Sequence, residues 1–332
     1  MSAATSAPRR SDVAIIEARG LARVFATKQG TVDAVRGVDV TVEAGEIVGF
    51  LGPNGAGKTT TLRMLTTLIR PTAGSARVVG CDLLTDPQGV RERIGYVSQI
   101  GGTDPSCPVV EELLLQGELH GLSRADARTR TDALLDSLDL RAIAARPAGT
   151  LSGGQRRRLD IALGLVHRPP LLFLDEPSTG LDPQSRSHLW DLVRRLRSEH
   201  KTTVFLTTHY LDEADALADR LLIIDHGRIV AEGTPDELKR RISGDVVTLE
   251  IRGDVERARL AIERHPGVRD VSGSGGALRL TVDQGERALV ELVRLLDETA
   301  ATLVSVNLSR PTLDDVFLTV TGRSLREDAP AA

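Results

Sequence analysis

"EIVGFLGPNGAGKTTTLRM", residues 46–64, passes from an apolar run through a glycine-rich turn into a polar-start helix pattern. The run 46–51 is near-continuously apolar, as a strand buried on both faces would be. The run "TTTLRMLTTLI" reads as a helix ending before Pro71. Between them, Gly52–Thr59 fits G-x-x-x-x-G-K-[ST]. Gly52, Gly55 and Gly57 let backbone amides close around phosphates, with Pro53, Asn54 and Ala56 completing the loop and Thr60 following it at the helix start. Lys58 would reach the β- and γ-phosphate oxygens, and the Thr59 hydroxyl would hold Mg2+. With 31 glycines in 332 residues a chance match is conceivable. Strand before and helix after are the context that argues for nucleotide binding. Lysine occurs only at positions 28, 58, 201 and 239, so a lysine inside the motif is not background.

The complement lies downstream. "LLFLDEP", residues 171–177, brings Asp175 off the C-terminal end of a buried strand, where α/β sheets place ligands, and suits it to the Mg2+ shell. Glu176 follows at once and is the candidate general base for an attacking water; by itself it would read as a surface glutamate. His209 ends the apolar run "VFLTTH" and could donate to the γ-phosphate, although a lone histidine there is usually structural. Gln99, after "RIGYVS", could join the metal shell or orient water.

A second anion site is signalled by "TLSGGQRRRLDIA", residues 150–162. Ser152 is a ready N-cap, and Gly153 and Gly154 leave the first helical turn bare. The chain already has a better phosphate loop, so the residues alone leave this anion unassigned. Arg156–Arg158 could add positive potential near phosphates; a solvated or ion-paired helix face is the favoured reading.

Outward from these motifs, residues 13–51 read as short strands with polar–apolar alternation, an antiparallel sheet covered on one face. Residues 101–168 read as a helical insertion, with amphipathic segments at 109–120, 123–138 and 154–167 and a cap at Ser123/Asp126. Apolar strands return at 171–175, 202–208 and 220–225, separated by helix patterns, which predicts a mostly parallel sheet. Beyond a boundary at 240–245, the order β-α-β-β-α-β over residues 245–322 predicts a small α+β ferredoxin-like domain. It carries no phosphate loop and no evident acid/base cluster, and a regulatory or dimer-stabilising role is expected. Residues 1–12 and 323–332 are expected to be disordered tails.

Composition narrows the class. Apolar content of 41% and charged content of 27% suit a globular protein, and aromatics at 2% leave the core to Leu, Val, Ile and Ala. A net charge of −4 gives no electrostatic reason to expect nucleic acid. Cys81 and Cys107 show no metal or redox spacing and read as free thiols of a reducing compartment. No apolar run approaches the roughly 18–20 residues of a membrane span, and the first residues lack an apolar signal core. If the protein serves a membrane, it docks onto another subunit.

With these motifs in order, residues 13–240 resemble an ATP-binding-cassette (ABC) ATPase subunit. The resemblance rests on the loop 52–60, Gln99, the signature Leu151–Gln155, Asp175, Glu176, Asp182 in "STGLD" and His209. It implies an α/β phosphate-loop NTPase cassette with a mostly parallel core sheet, an antiparallel β subdomain and a helical insertion. It implies ATP and Mg2+ as cofactors, and Phe25 as the ring stacked on adenine. It also implies a head-to-tail homodimer in which Leu151, Ser152, Gly153, Gly154 and Gln155 of one chain close on the γ-phosphate held by the other. That would assign the second anion. Within the family, "TTHYLDEAD", "IIDHGRIVAEGT" and "LDDVFL" resemble the ATPase subunits of daunorubicin/doxorubicin-resistance-type exporters. The expectation is therefore a drug-export ATPase lying on the cytoplasmic face of the membrane beneath separately encoded permease subunits. A soluble cassette acting on nucleic acid would be expected to carry coiled coils or two fused cassettes. A non-hydrolysing sensor would be expected to lack Glu176 or His209.

Overall fold

The computed structural model describes residues 14–28, 30–242, 244–283, 285–297, 299, 301–309 and 312–322. The two expected tails lie outside them. The chain divides into two compact units between Glu232 and Gly233.

The first unit opens with two long strands, β1 (Ala14–Thr27) and β2 (Gly30–Glu43), paired antiparallel. The buried strand β3 (Ile47–Leu51) leads into α1 (Lys58–Leu65). This helix is shorter than its sequence suggests. Thr66 turns its hydroxyl back onto the Leu62 carbonyl and Thr67 adopts φ 64, so the chain leaves the helix well before Pro71. Then follow β4 (Ala73–Val78), β5 (Cys81–Asp82), α2 (Pro87–Arg93) and β6 (Ile94–Val97). The helical insertion holds α3 (Val109–Leu119), α4 (Arg124–Ser137) and α5 (Gly153–Leu165), with Ser123 capping α4 through the Asp126 amide. The unit closes with β7 (Leu171–Asp175), α6 (Pro183–His200), β8 (Thr203–Thr208), α7 (Leu211–Leu217), β9 (Arg220–Asp225) and β10 (Arg228–Gly233).

Two sheets result. One is antiparallel, in the order β2-β1-β4-β5. The other has the order β10-β9-β3-β8-β7-β6, and its β9-β3-β8-β7-β6 portion is parallel throughout. Alternate residues of its central strands enter different cores. Ile47, Leu172, Leu174, Val204 and Leu206 pack with the helical insertion, whereas Val48, Phe50, Phe173, Phe205 and Leu222 pack with α1 and the antiparallel sheet. Burial on both faces is why these strands carry no polar alternation. Phe205 sits 5.6 Å, centroid to centroid, from both Phe50 and Phe173, a good use of scarce aromatics.

Parallel pairing has one consequence for function. Leu51 lies opposite Thr208, Asp175 opposite Thr207, and Val97 opposite Leu174. The segments that leave β3, β6, β7 and β8 therefore start from the same sheet edge.

The second unit begins with α8 (Pro235–Ile242) and continues as β11 (Asp245–Gly253), α9 (Val255–Glu263), β12 (Val268–Ser274), β13 (Ala277–Val282), α10 (Gly285–Asp297), β14 (Ala301–Ser309) and α11 (Leu313–Thr321). Its sheet is antiparallel in the order β12-β13-β11-β14, as a ferredoxin-like β-α-β-β-α-β chain gives. Val247, Leu249, Ile251, Leu278, Leu280, Ala258, Ile262 and Leu292 form its core. The sequence reading ended the first domain at 240. The structure instead joins α8 to the second unit, where it packs against α11. Both cysteines are free thiols. Among the described residues no helix is long and apolar enough to cross a membrane.

Candidate nucleotide site

Two glycines of the loop, Gly52 and Gly57, stand where a side chain would not fit. A Cβ at Gly52 would lie 2.3 Å from the Ile224 carbonyl oxygen, and one at Gly57, where φ is 107°, would lie 2.6 Å from that of Ala34. Gly57 also N-caps α1 without a side-chain bond, so the first-turn amides of α1 are not claimed by a cap. Lys58 is buried, and its Nζ donates to the Gly52 and Pro53 carbonyls at 2.8 and 3.0 Å. Burial lowers its pKa against the pull of Glu176.

Thr59 Oγ1 donates to Asp175 Oδ1 at 3.1 Å, and Thr207 Oγ1 donates to the same oxygen at 2.7 Å. The Thr207 hydroxyl in turn accepts from the Glu176 amide at 3.0 Å. Glu176 has φ 43°, a left-handed conformation uncommon outside glycine and often found where structure serves chemistry.

Four groups converge on the Glu176 carboxylate. Lys58 Nζ lies 3.2 Å from Oε1. Gln99 Nε2 donates to Oε2 at 3.0 Å and Thr179 Oγ1 at 3.3 Å, and His209 Nδ1 stands 3.2 Å from Oε2. Burial works to raise the carboxyl pKa, but His209 and then Lys58 outweigh it and hold the group at about 2. A cleft of about 210 Å³ opens here, lined by Ala34, Asn54, Gly55, Gly57, Lys58, Thr59, Thr60, Gln99 and Glu176.

Other expected site residues stand apart from this lining. Phe25, on β1, is not among the cleft residues, and its ring carries the Arg23 guanidinium 4.6 Å from the centroid. The signature begins α5 with a capping box: Ser152 Oγ accepts from the Gln155 amide at 3.3 Å, and Gln155 Oε1 accepts from the Ser152 amide at 3.0 Å. Leu151 is buried and Gly153 is exposed. Gly154 lets α5 approach α6, since a Cβ there would lie 2.6 Å from Ser185 Oγ. Asp182 caps α6 through that same Ser185. Signature and Asp182 are thus neighbours of each other, not of their own chain's cleft.

Several buried charged groups escaped sequence reasoning. Arg157 is buried and donates to the carbonyls of Ser98 and Asp175; of the solvated or ion-paired face expected for the arginine run it fits only the ion-paired alternative, with Asp160 Oδ2 4.0 Å from its Nη1. Arg156 and Arg158 are half-buried. Glu213 is fully buried on α7, four residues after His209, and burial raises its pKa. It accepts a hydrogen bond from Ser178 Oγ, which accepts from Trp190 Nε1 at 3.3 Å. Nothing in "HYLDEAD" distinguishes Glu213 from its acidic neighbours except helical phase.

A second cavity, about 380 Å³, lies between the segment after β6 and helices α3 and α5. Its lining includes Gly101, Gly102, Gln116, Asp160 and the stacked imidazoles of His120 and His167, 3.8 Å apart. Burial, then His120, lowers the His167 pKa to about 4. Ile100, beside it, is 94% exposed.

A phosphate loop, an acidic strand end and a poised glutamate on one parallel-sheet edge define a nucleotide-hydrolysing cassette. Comparison with known proteins narrows that class. The ABC transporter family profile matches residues 35–179, and that of the DrrA1-3-like ATP-binding protein C-terminal domain matches residues 233–321. The daunorubicin/doxorubicin resistance ATP-binding protein DrrA of Streptomyces peucetius is 47% identical over 92% of both chains. The Nod factor export ATP-binding protein I of Ralstonia nicotianae is 40% identical over 94% of this chain and 95% of its own. Among solved structures, the dimeric bacterial ABC transporter cassette MJ0796 superposes with a TM-score of 0.61 at 25% identity, over 66% of this chain and 98% of its own. The chain belongs to the ABC transporter ATP-binding proteins. It binds and hydrolyses ATP.

Proposed function

We propose that the chain is the energising ATPase of an exporter: a head-to-tail homodimer on the cytoplasmic face of the membrane, beneath separate permease subunits. What carries the catalytic part is the convergence of Lys58, Gln99 and His209 on one strained carboxylate, Glu176, beside the phosphate loop. Lys58 and the loop amides hold the β- and γ-phosphates. Glu176 takes a proton from water as that water attacks the γ-phosphorus and the bond to the β-phosphate oxygen breaks, giving ADP and phosphate. His209 and Gln99 orient the carboxylate and the water. Phosphates that draw Lys58 off Glu176 remove part of what holds its pKa low, so the base strengthens as substrate arrives. Thr59 Oγ1 and Asp175 Oδ1, two oxygen donors 3.1 Å apart, suit a hard divalent cation. Mg2+ held there would neutralise charge on the transferring phosphate.

The dimer reading is supported by Ser152 and Gly153 of the signature, which are exposed and are not part of their own chain's cleft lining. The cavity beside Ile100 is where the permease would dock. The cargo is a drug, antibiotic or lipid-like compound, because relatives across nearly the whole chain confer daunorubicin and doxorubicin resistance or export Nod factor by their names. No nucleic acid takes part.

Mixing two dead variants tests the dimer. Lys58→Ala breaks the phosphate cradle, and Ser152→Arg blocks the signature. Random pairing leaves roughly a quarter of all sites with both halves intact if the signature acts across the interface. Some ATPase activity should then return, and a probe at residue 152 should crosslink to an ATP analogue on the partner. Crosslinks confined to one chain overturn the homodimer site. For the cargo, co-expression with the permease should lower cellular accumulation of a fluorescent anthracycline, and Lys58→Ala should abolish the effect.

A further inference from the structure

Arg157 lies on the same helix as the signature but turns the other way, into the protein. Its guanidinium spans the ends of two adjacent parallel strands: Nη1 donates to the Ser98 carbonyl at 2.7 Å and Nη2 to the Asp175 carbonyl at 3.1 Å. Ser98 immediately precedes Gln99, and Asp175 immediately precedes Glu176. A planar guanidinium can serve two carbonyls at once, which a lysine ammonium on a flexible stem matches poorly.

The peptide between Asp175 and Glu176 is consequently held from both sides. Its oxygen accepts from Arg157, and its nitrogen donates to Thr207. That peptide sets φ of Glu176, the left-handed angle of 43°. Such a conformation persists only where the surroundings over-determine it. Asp160 Oδ2 stands 4.0 Å from Arg157 Nη1 on the cavity side, where a Cβ on Gly101 would lie only 3.0 Å from that carboxylate. Ser98, Gly101, Gly102 and Asp160 all line the larger cavity.

We infer that Arg157 is a positioning residue for ATP hydrolysis: it fixes Gln99 and Glu176 against α5 and links the larger cavity to the catalytic carboxylate. It touches no phosphate and acts through the two residues whose backbones it holds. The inference rests on the reading of Glu176 as the base. A shift of α5, whether imposed at its signature end or from the cavity, reaches Glu176 through one side chain.

The test uses the full chain in two forms. Arg157→Lys keeps the charge but cannot serve both carbonyls equally. Arg157→Met combined with Asp160→Asn removes the donors without leaving a buried unpaired charge. ATP affinity, turnover and melting temperature are measured for each. Misplacement of a reacting group by about an ångström costs on the order of a hundredfold in rate. We therefore expect kcat to fall roughly 10–100-fold, with the Lys form between wild type and the Met/Asn form. ATP affinity should stay within about threefold, because the phosphate contacts are untouched. Wild-type kcat in either folded form overturns the inference. So does a parallel loss of affinity, kcat and melting temperature, or failure of both forms to fold, since either makes Arg157 a folding residue only. If Glu176→Gln turns over normally, the base reading has failed; if Glu176→Gln is silent while the Arg157 forms are fully active, only this inference has.

Discussion

Glu176→Gln should separate two jobs of one carboxylate, and the structure sets the size of each. As the proposed base, Glu176 would supply what general-base catalysis contributes, about 10²–10⁴-fold. Turnover of the variant should drop by that factor while ATP still binds. As a structural group, it is the buried partner of Lys58 at 3.2 Å. Removing one member of a buried ion pair costs about 3–5 kcal/mol. The amide oxygen of glutamine still offers Lys58 a neutral acceptor, so the lower figure applies. A carboxyl held at about 2 rather than its ordinary 4.5 gives a matching figure, roughly 3 kcal/mol in favour of the folded state. At about 2–4 °C per kcal/mol for a unit of this size, melting without nucleotide should fall by roughly 6–12 °C. Because ATP phosphates give Lys58 new partners, saturating ATP should recover most of that loss, so the ATP-induced rise in melting temperature is larger in the variant than in wild type. The assay is a pair of thermal melts, with and without ATP, beside a steady-state turnover measurement. Turnover near wild type would refute the base assignment. An unchanged melting temperature without nucleotide would refute the buried pair as a stabilising contact.

Further outcomes follow from the same contacts. In wild type, the Glu176 contribution should be complete above about pH 4.5 and fade as pH falls toward 2, because its folded pKa is depressed; Glu176→Gln should flatten that limb of an acid-unfolding curve. Glu213 has the opposite sign, since burial raises its pKa, so its ionisation penalises the fold as pH climbs past the ordinary carboxyl range. Glu213→Gln should therefore leave stability at neutral pH equal or higher, whereas Glu213→Ala, which strands the Ser178 hydroxyl, should lose about 1–3 kcal/mol in denaturant titration. Gly57→Ala should lower ATP affinity at least tenfold in equilibrium binding, as the loop must shift to free its Cβ from the Ala34 carbonyl and abandon a φ of 107°. A chain ending at residue 232 should still bind ATP, while its dimerisation or coupling to the permease is impaired; a folded truncation without ATP binding would refute this division of labour.

The residues that meet at the cleft were legible because they are local in sequence. Gly52–Thr59 carries its own strand and helix on either side, and Asp175–Glu176 ends a run with no polar interruption. The second unit was legible for another reason: alternation in β11 and β13 contrasts with the helical spacing of α9 and α10. What stayed hidden depends on contacts distant along the chain. Arg157 looks like Arg156 and Arg158 until β6 and β7 present two carbonyls to it. The domain boundary moved because the partner of α8 is α11, some seventy residues further on. The end of α1 is a local exception: Thr66 returns its hydroxyl to the Leu62 carbonyl and Thr67 takes φ 64, against the preference of a β-branched residue, neither of which a pattern of apolar residues registers.

The capping box at Ser152 has a consequence for how this chain can vary. The Ser152 oxygen accepts from the Gln155 amide inside its own helix, yet a hydroxyl that accepts retains its proton to give away. One atom thus secures the start of α5 through its lone pair and, in the dimer proposed above, would offer its hydrogen to a nucleotide it does not own. Alanine would loosen the helix and silence the neighbour's site together, whereas threonine could preserve both. A population of such chains cannot drift toward weaker communication between subunits at this position without also fraying the subunit itself.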